Sequence, residues 1–121
     1  MNRKKERLEH TIRTIISDIF LKEISDPRIG FVTVSSCELS SDLMHAKIFV
    51  SIYGDEKEKE RSMEGLKSAT KYIQELLAKR IKVKHVPYIE FFLDESIEKG
   101  IKLTKLIEEI EEIEKKESET D

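Results

Sequence analysis

From Leu43 to Tyr53 the chain alternates, with Ala46, Ile48, Val50 and Ile52 on one side of an extended segment and His45, Lys47, Phe49, Ser51 and Tyr53 on the other. A side-chain period of two belongs to a strand, and a strand with one apolar face must cover that face with another layer. The preceding segment can supply the cover: Leu8, Ile12, Ile15, Ile16, Ile19 and Phe20 fall at the spacing of a helix with one buried stripe. That helix is expected over Arg3 to Ile24. Ser25-Asp26-Pro27 ends it, because proline disfavours helical geometry in the residue before it, and Gly30 supplies a flexible joint.

Phe31 to Leu39 is rich in Val and Thr and reads as another strand, joined to the alternating one through the short polar link Ser40-Ser41-Asp42 as an antiparallel hairpin. After Gly54 and Asp55, helical spacing returns in Met63, Leu66, Ile73, Leu76, Leu77 and Ile81. One long helix or two both fit this run, and Ser68, Ala69 and Thr70 mark the natural place for a kink or break. Pro87 forces an extended conformation on Val86, and Ile89, Phe91 and Leu93 alternate with Tyr88, Glu90 and Phe92 in a third strand. Asp94, Glu95 and Ser96 suit a helix start, and Leu103, Leu106, Ile107, Ile110 and Ile113 give a last helix to about Glu114. Lys115 to Asp121 has no apolar anchor and is expected as a tail.

With 121 residues, 38% hydrophobic and 39% charged, the chain can build one core under heavily charged outer faces. No apolar run approaches the roughly 18 residues of a membrane span, and Met1 to Leu8 lacks the apolar segment of a signal peptide, so a cytoplasmic protein is expected. Cys37 stands alone, which rules out an internal disulfide and makes it a small core residue by default. A net charge of -3 argues against a nucleic-acid binder until its distribution is counted. Residues 1–104 hold 19 Lys/Arg against 17 Asp/Glu, whereas 105–121 hold 3 against 8, so the acidic excess is confined to the end.

Chemistry-bearing patterns are scarce. His10, His45 and His85 share no metal-ligand spacing, the four glycines are isolated, and no Ser or Cys sits in a nucleophile elbow. Asp94 and Glu95, between a strand and a helix, suit a cap better than acid-base work. No catalytic residue, metal or cofactor is therefore expected. What remains is the cationic run Lys79-Arg80-Ile81-Lys82-Val83-Lys84-His85, with Lys67 and Lys71 one helical turn apart and Arg3, Lys4 and Arg7 as an auxiliary patch. Clustered Lys and Arg attract phosphate with salt-dependent affinity. A solvated helix end complementing the helix dipole is the alternative, and composition leaves the two open. Phe49, Tyr53, Tyr88 and Phe92 can stack bases or lie under the last helix, whose apolar stripe must bury somewhere; packing is the favoured reading.

Several separated stretches carry a resemblance: Asp26-Pro27-Arg28-Ile29-Gly30, Val32-Thr33-Val34, Ser40-Ser41-Asp42-Leu43, Ala46-Lys47-Ile48-Phe49-Val50-Ser51, Val86-Pro87 and Phe91-Phe92-Leu93-Asp94-Glu95-Ser96. In this order they resemble the ribosome-binding factor A family over about Arg3 to Ile107. The resemblance implies an α+β, type II K-homology-like domain of order α-β-β-α-α-β plus a C-terminal helix, its three-stranded sheet carrying helices on one face. Residues 1–107 would form this domain, and 108–121 an acidic helix end and flexible tail. It further implies a monomeric assembly factor that binds the small (30S) ribosomal subunit and assists late 16S rRNA maturation, including processing near the 5′ end, alongside ribosomal proteins or an assembly GTPase. In the family an Ala-Xaa-Gly kink joins the middle helices. Here those positions read Ala69-Thr70-Lys71, so a gentler bend is expected. The expected RNA-binding residues are Lys67, Lys71, Lys79, Arg80, Lys82, Lys84 and His85. The rival reading is a protein-interaction module that engages a ribosomal protein, with RNA contacts incidental.

Overall fold

The computed structural model describes residues 3–119, and the side chains of these apart from 97–103 and 117–119. Its elements are α1 (Arg3–Lys22), β1 (Val32–Leu39), β2 (His45–Ile52), α2 (Glu56–Arg80), β3 (Tyr88–Leu93) and α3 (Ser96–Glu119). β2 lies central, antiparallel to β1 and parallel to β3, so the class is α+β with a mixed three-stranded sheet. The expected hairpin forms, with the Asp42 carboxylate accepting from the Ser40 hydroxyl at 2.6 Å and the Met44 amide at 3.0 Å. Those two bonds, the Ser40 one foremost, hold Asp42 below the usual carboxylate range.

The core is a single layer between the sheet and two helices. Ala46, Ile48, Val50 and Ile52 of β2 and Ile89 and Phe91 of β3 are buried against Ile12, Ile16 and Ile19 of α1 and Leu66, Ile73 and Leu77 of α2. On β1 a register shift between Val34 and Ser36 lets Val34 and Cys37, three positions apart, both face this core. Burial, with the charges of Glu9 and Glu38 adding to it, pushes the Cys37 thiol up to about 12. That thiol is therefore a neutral packing group.

Residues 56–80 are one helix, the first of the two readings that the spacing left open, so the two middle helices implied by the resemblance are here a single element. Leu66 lies before the expected break and Ile73 and Leu77 after it, all buried on one stripe, so interrupting the helix would lift part of the stripe off the sheet. Thr70 Oγ1 donates to the Leu66 carbonyl at 2.8 Å, a bond that fits within a continuing helix, and Lys71 lacks a glycine's freedom to turn left-handed. Asp55 caps the start by accepting from the Glu58 amide at 2.8 Å. The preceding Gly54 has φ +142°, and a Cβ there would lie 2.5 Å from Glu58 Oε2.

The Asp26–Gly30 turn is clasped to α2. Asp26 Oδ1 accepts from the Arg28 amide at 2.9 Å, the Gly30 amide donates to Ser62 Oγ at 3.1 Å, and Ser62 Oγ donates to the Arg28 carbonyl at 3.4 Å. Gly65 makes this approach feasible, since a Cβ there would lie 2.7 Å from Ile29 Cγ1 and 3.3 Å from Arg28 Cβ. On an open helix Gly→Ala is favourable by about 1 kcal/mol. Here the turn would have to move, at an overpacking cost of about 1–3 kcal/mol. Gly65→Ala is thus expected to lower stability by up to about 2 kcal/mol in urea unfolding, and a stabilised variant would mean that the turn does not press on α2.

The last helix departs from expectation twice. It runs to Glu119, through the segment expected as a tail, while residues 120–121 lie outside the described range. Its described side chains, from Thr104 to Lys116, are all exposed, including Leu106, Ile107, Ile110 and Ile113, so these do not cover the aromatic face of the sheet. Leu103, the first residue of the expected stripe, lies outside the described side chains. The glutamates between the apolar positions keep the helix solvated, and helical hydrogen bonding needs no apolar partner along its length. Asp94 accepts from the Ser96 amide at 3.0 Å at the start of this helix, in keeping with its reading as a structural group.

Candidate nucleic-acid interface

The cationic run sits where α2 ends. The Ile81 backbone is extended, its amide still donating to the Leu77 carbonyl at 2.9 Å, and its side chain is buried. Pro87, six residues on, is buried as well. Between these anchors Lys82, Lys84 and His85 are exposed, as is Lys79 on the last turn of α2. Two apolar anchors thus hold a short loop to the core while its polar residues project into solvent.

The first turns of α1 border the same loop. Lys4, Arg7, Leu8 and Thr11 face Arg80, Ile81, Lys82 and Val83 across a shallow cleft. Lys4 and Arg7 are therefore part of the main cationic surface, with exposed Arg3 one residue before Lys4. In sequence the two groups are more than seventy residues apart, and only the three-and-four spacing of Lys4, Leu8 and Thr11 hinted that they share a helix face.

Arg80 is placed differently from its neighbours. Its Nη1 donates to Asp18 Oδ2 at 2.8 Å and its Nη2 to Glu23 Oε1, so it braces the end of α2 against α1. Asp18 also receives Lys22 at 3.1 Å. The hydrogen bonds from Lys22 and then Arg80 hold the Asp18 carboxyl below its ordinary value, and Asp18 foremost raises that of Arg80. A guanidinium engaged by two carboxylates offers a phosphate little net charge. Sequence reasoning had no means of separating Arg80 from Lys79 and Lys82, because the two carboxylates belong to α1 and the residue just beyond it.

Lys67 and Lys71 are exposed on α2 but are not gathered with the loop. Twelve residues of helix separate Lys67 from Lys79, about 18 Å of rise and about 120° of rotation. Lys67 borders a hollow that also includes Glu56, Glu60, Glu64 and Glu95. Among the described residues no group of three or more His, Cys, Asp or Glu could hold a metal ion, and no helix is long and apolar enough to cross a membrane.

The other surface with functional character is the open face of the sheet. His45 and Tyr88 pair across β2 and β3 with ring centroids 6.1 Å apart, Phe49 and Phe92 with 5.7 Å, and Lys47 Nζ lies 5.7 Å from the Phe92 centroid.

The family model for ribosome-binding factor A matches residues 4–107. Ribosome-binding factor A of Halothermothrix orenii is 47% identical over 118 residues, covering 98% of this chain and 93% of that protein. The solution structure of a Thermotoga maritima protein described as a putative ribosome binding factor A superposes with a TM-score of 0.66 at 32% identity, covering 76% of this chain and 90% of the other. A homology model of the Thermus thermophilus factor, fitted into a cryo-EM map of a 30S complex of that protein, shares the fold with a TM-score of 0.62 at 24% identity, covering 74% and 93%. Motifs, topology and near full-length identity converge, and the chain belongs to the ribosome-binding factor A family.

Proposed function

We propose that this chain is an assembly factor that binds the small (30S) ribosomal subunit through 16S rRNA and assists its late maturation, including processing near the 5′ end. The observation that carries the reading is the meeting of Lys4 and Arg7 with Lys82 around one cleft, beside Lys79, Lys84 and His85. Cations gathered on one end of the domain draw in a phosphate backbone and release its counterions. Lys67 and Lys71 stand apart from this surface on α2, while Arg80 lines the cleft with its guanidinium engaged by Asp18 and Glu23. The placement of the Thermus thermophilus relative on a 30S subunit supports the choice of partner. The work is binding, with no bond chemistry or cofactor: the factor stabilises the RNA arrangement it binds best and so shifts the population toward it. It acts as a monomer in the cytoplasm.

One observation favours a second reading. The exposed Leu106, Ile107, Ile110 and Ile113 of α3 form an amphipathic stripe suited to a ribosomal protein or an assembly GTPase. Sedimentation with mature and precursor 30S subunits at low and moderate salt, with unrelated RNA as competitor, separates the two. The basic edge predicts subunit-selective binding that falls steeply as salt rises. Salt-insensitive binding would assign the interaction to α3, and absence of subunit binding at either salt would overturn both.

A further inference from the structure

The face of the sheet turned away from α1 and α2 has the make-up of a stacking surface. His45 and Tyr88 are partners in the β2–β3 register, as are Phe49 and Phe92, and Tyr53 follows Phe49 on the same face of the chain. Four residues of strand span about 13 Å, so the His45–Tyr88 and Phe49–Phe92 pairs lie about that far apart along β2. Tyr88 is 64% and Tyr53 82% exposed, while Phe49 and Phe92 are half-buried, so the pair formed by His45 and Tyr88 is the more accessible of the two.

The charge pattern selects the occupant. Lys47, in the middle of the face, stands in register with Glu38 on β1 and Glu90 on β3, so the centre carries no net positive charge. The positive charge lies at the Tyr88 end, where the exposed Lys82 and Lys84 precede β3. A ring-lined centre bordered on one side by cations matches a nucleotide strand, whose bases are neutral π-systems and whose phosphates are anionic. A basic peptide would have no acid-rich groove to enter, and an acidic one would have to cross Glu38 and Glu90.

Tyr88 is also held in place. Gln74 Nε2 donates to the Pro87 carbonyl at 2.8 Å, Gln74 Oε1 accepts from the Ile89 amide at 2.8 Å, and the Tyr88 amide donates to the Met44 carbonyl at 2.9 Å. The backbone on both sides of Tyr88 is thus fixed while its ring projects, which lowers the entropy lost when a base stacks on it.

We infer that the open face of the sheet, through Tyr88 with His45 and then Phe49 with Phe92, stacks unpaired bases of a single-stranded RNA whose backbone lies on the Lys79–His85 edge. This deepens the function proposed above and rests on it for the backbone contacts.

The test uses the full-length chain and two probes of equal length, a single-stranded oligoribonucleotide and its abasic ribose-phosphate counterpart. The chain has no tryptophan and three tyrosines, so quenching of tyrosine emission reports stacking alongside the affinity. The base-bearing strand is expected to bind more tightly and to quench. Tyr88→Leu, at an exposed strand position, should weaken that binding about five- to a hundred-fold while leaving the abasic strand unaffected, since a stacked base contributes on the order of 1–3 kcal/mol. Tyr88→Phe, which keeps the ring, should bind like the parent. Equal affinity for the two strands, or a Tyr88→Leu variant that binds the base-bearing strand as the parent does, overturns the stacking surface and leaves the basic edge standing. Binding to neither strand overturns both.

Discussion

Replacing Lys4, Arg7, Lys79, Lys82 and Lys84 together by glutamate is expected to weaken binding to 30S subunits by about two to three orders of magnitude near physiological salt. The slope of log affinity against log salt should flatten by about 0.9 for each phosphate that is no longer neutralised, which identifies the defect as electrostatic. All five side chains are exposed, so the circular dichroism spectrum and urea midpoint should stay close to the parent's. Arg80 is left in place by design: removing it would strip Asp18 and Glu23 of a shared partner and confuse a folding defect with a binding one. Sedimentation titrations at three or more salt concentrations make the measurement. An affinity within about threefold of the parent would remove this surface from the binding site, given the size of the effect the charges should have.

Leu77→Ala is expected to cost about 2–5 kcal/mol of stability. Leu77 is fully buried near the end of α2, in the cluster that joins α1 to the sheet, and its truncation leaves a cavity that rigid neighbours close only in part. Against a typical total of about 5–15 kcal/mol, such a loss brings the protein near its unfolding threshold. Leu106→Ala provides the control, because Leu106 is half-exposed on α3 and its truncation should change stability by no more than about 0.5 kcal/mol. Urea unfolding of both variants reads the contrast. Similar losses at the two sites would mean that α3 packs on the domain.

Much of the fold was legible because periodicity is local. The alternation at Ala46, Ile48, Val50 and Ile52 placed β2, and the polar link after Leu39 placed the hairpin. The family-like stretch Asp26–Gly30 was visible as a motif, but its role as a clasp on Ser62 and Gly65 was not, since its partner residues lie in α2. The middle helix was left open between one and two, and the choice fell to a buried stripe that runs through Leu66, Ile73 and Leu77 without interruption. The expectation for α3 failed for a related reason. An apolar stripe shows that a helix can bury a face, and it does not show that the same chain supplies the cover.

The candidate site divides along the same line. The sequence by itself determined the element types, the alternating sides of β2 and β3, and the presence of a cationic run at the end of α2, because each follows from spacing within one segment. The core side of β1 depended on its register shift against β2. Only the tertiary structure decided that Lys4 and Arg7 join that run, that Arg80 is neutralised by Asp18 and Glu23, 62 and 57 residues away in the chain, and that Tyr53 and Tyr88 stand exposed while Phe49 and Phe92 are half-buried. Spacing governs how a segment meets its own backbone. A charge's availability is set by whatever the fold brings within hydrogen-bonding distance, and no local pattern encodes that neighbour.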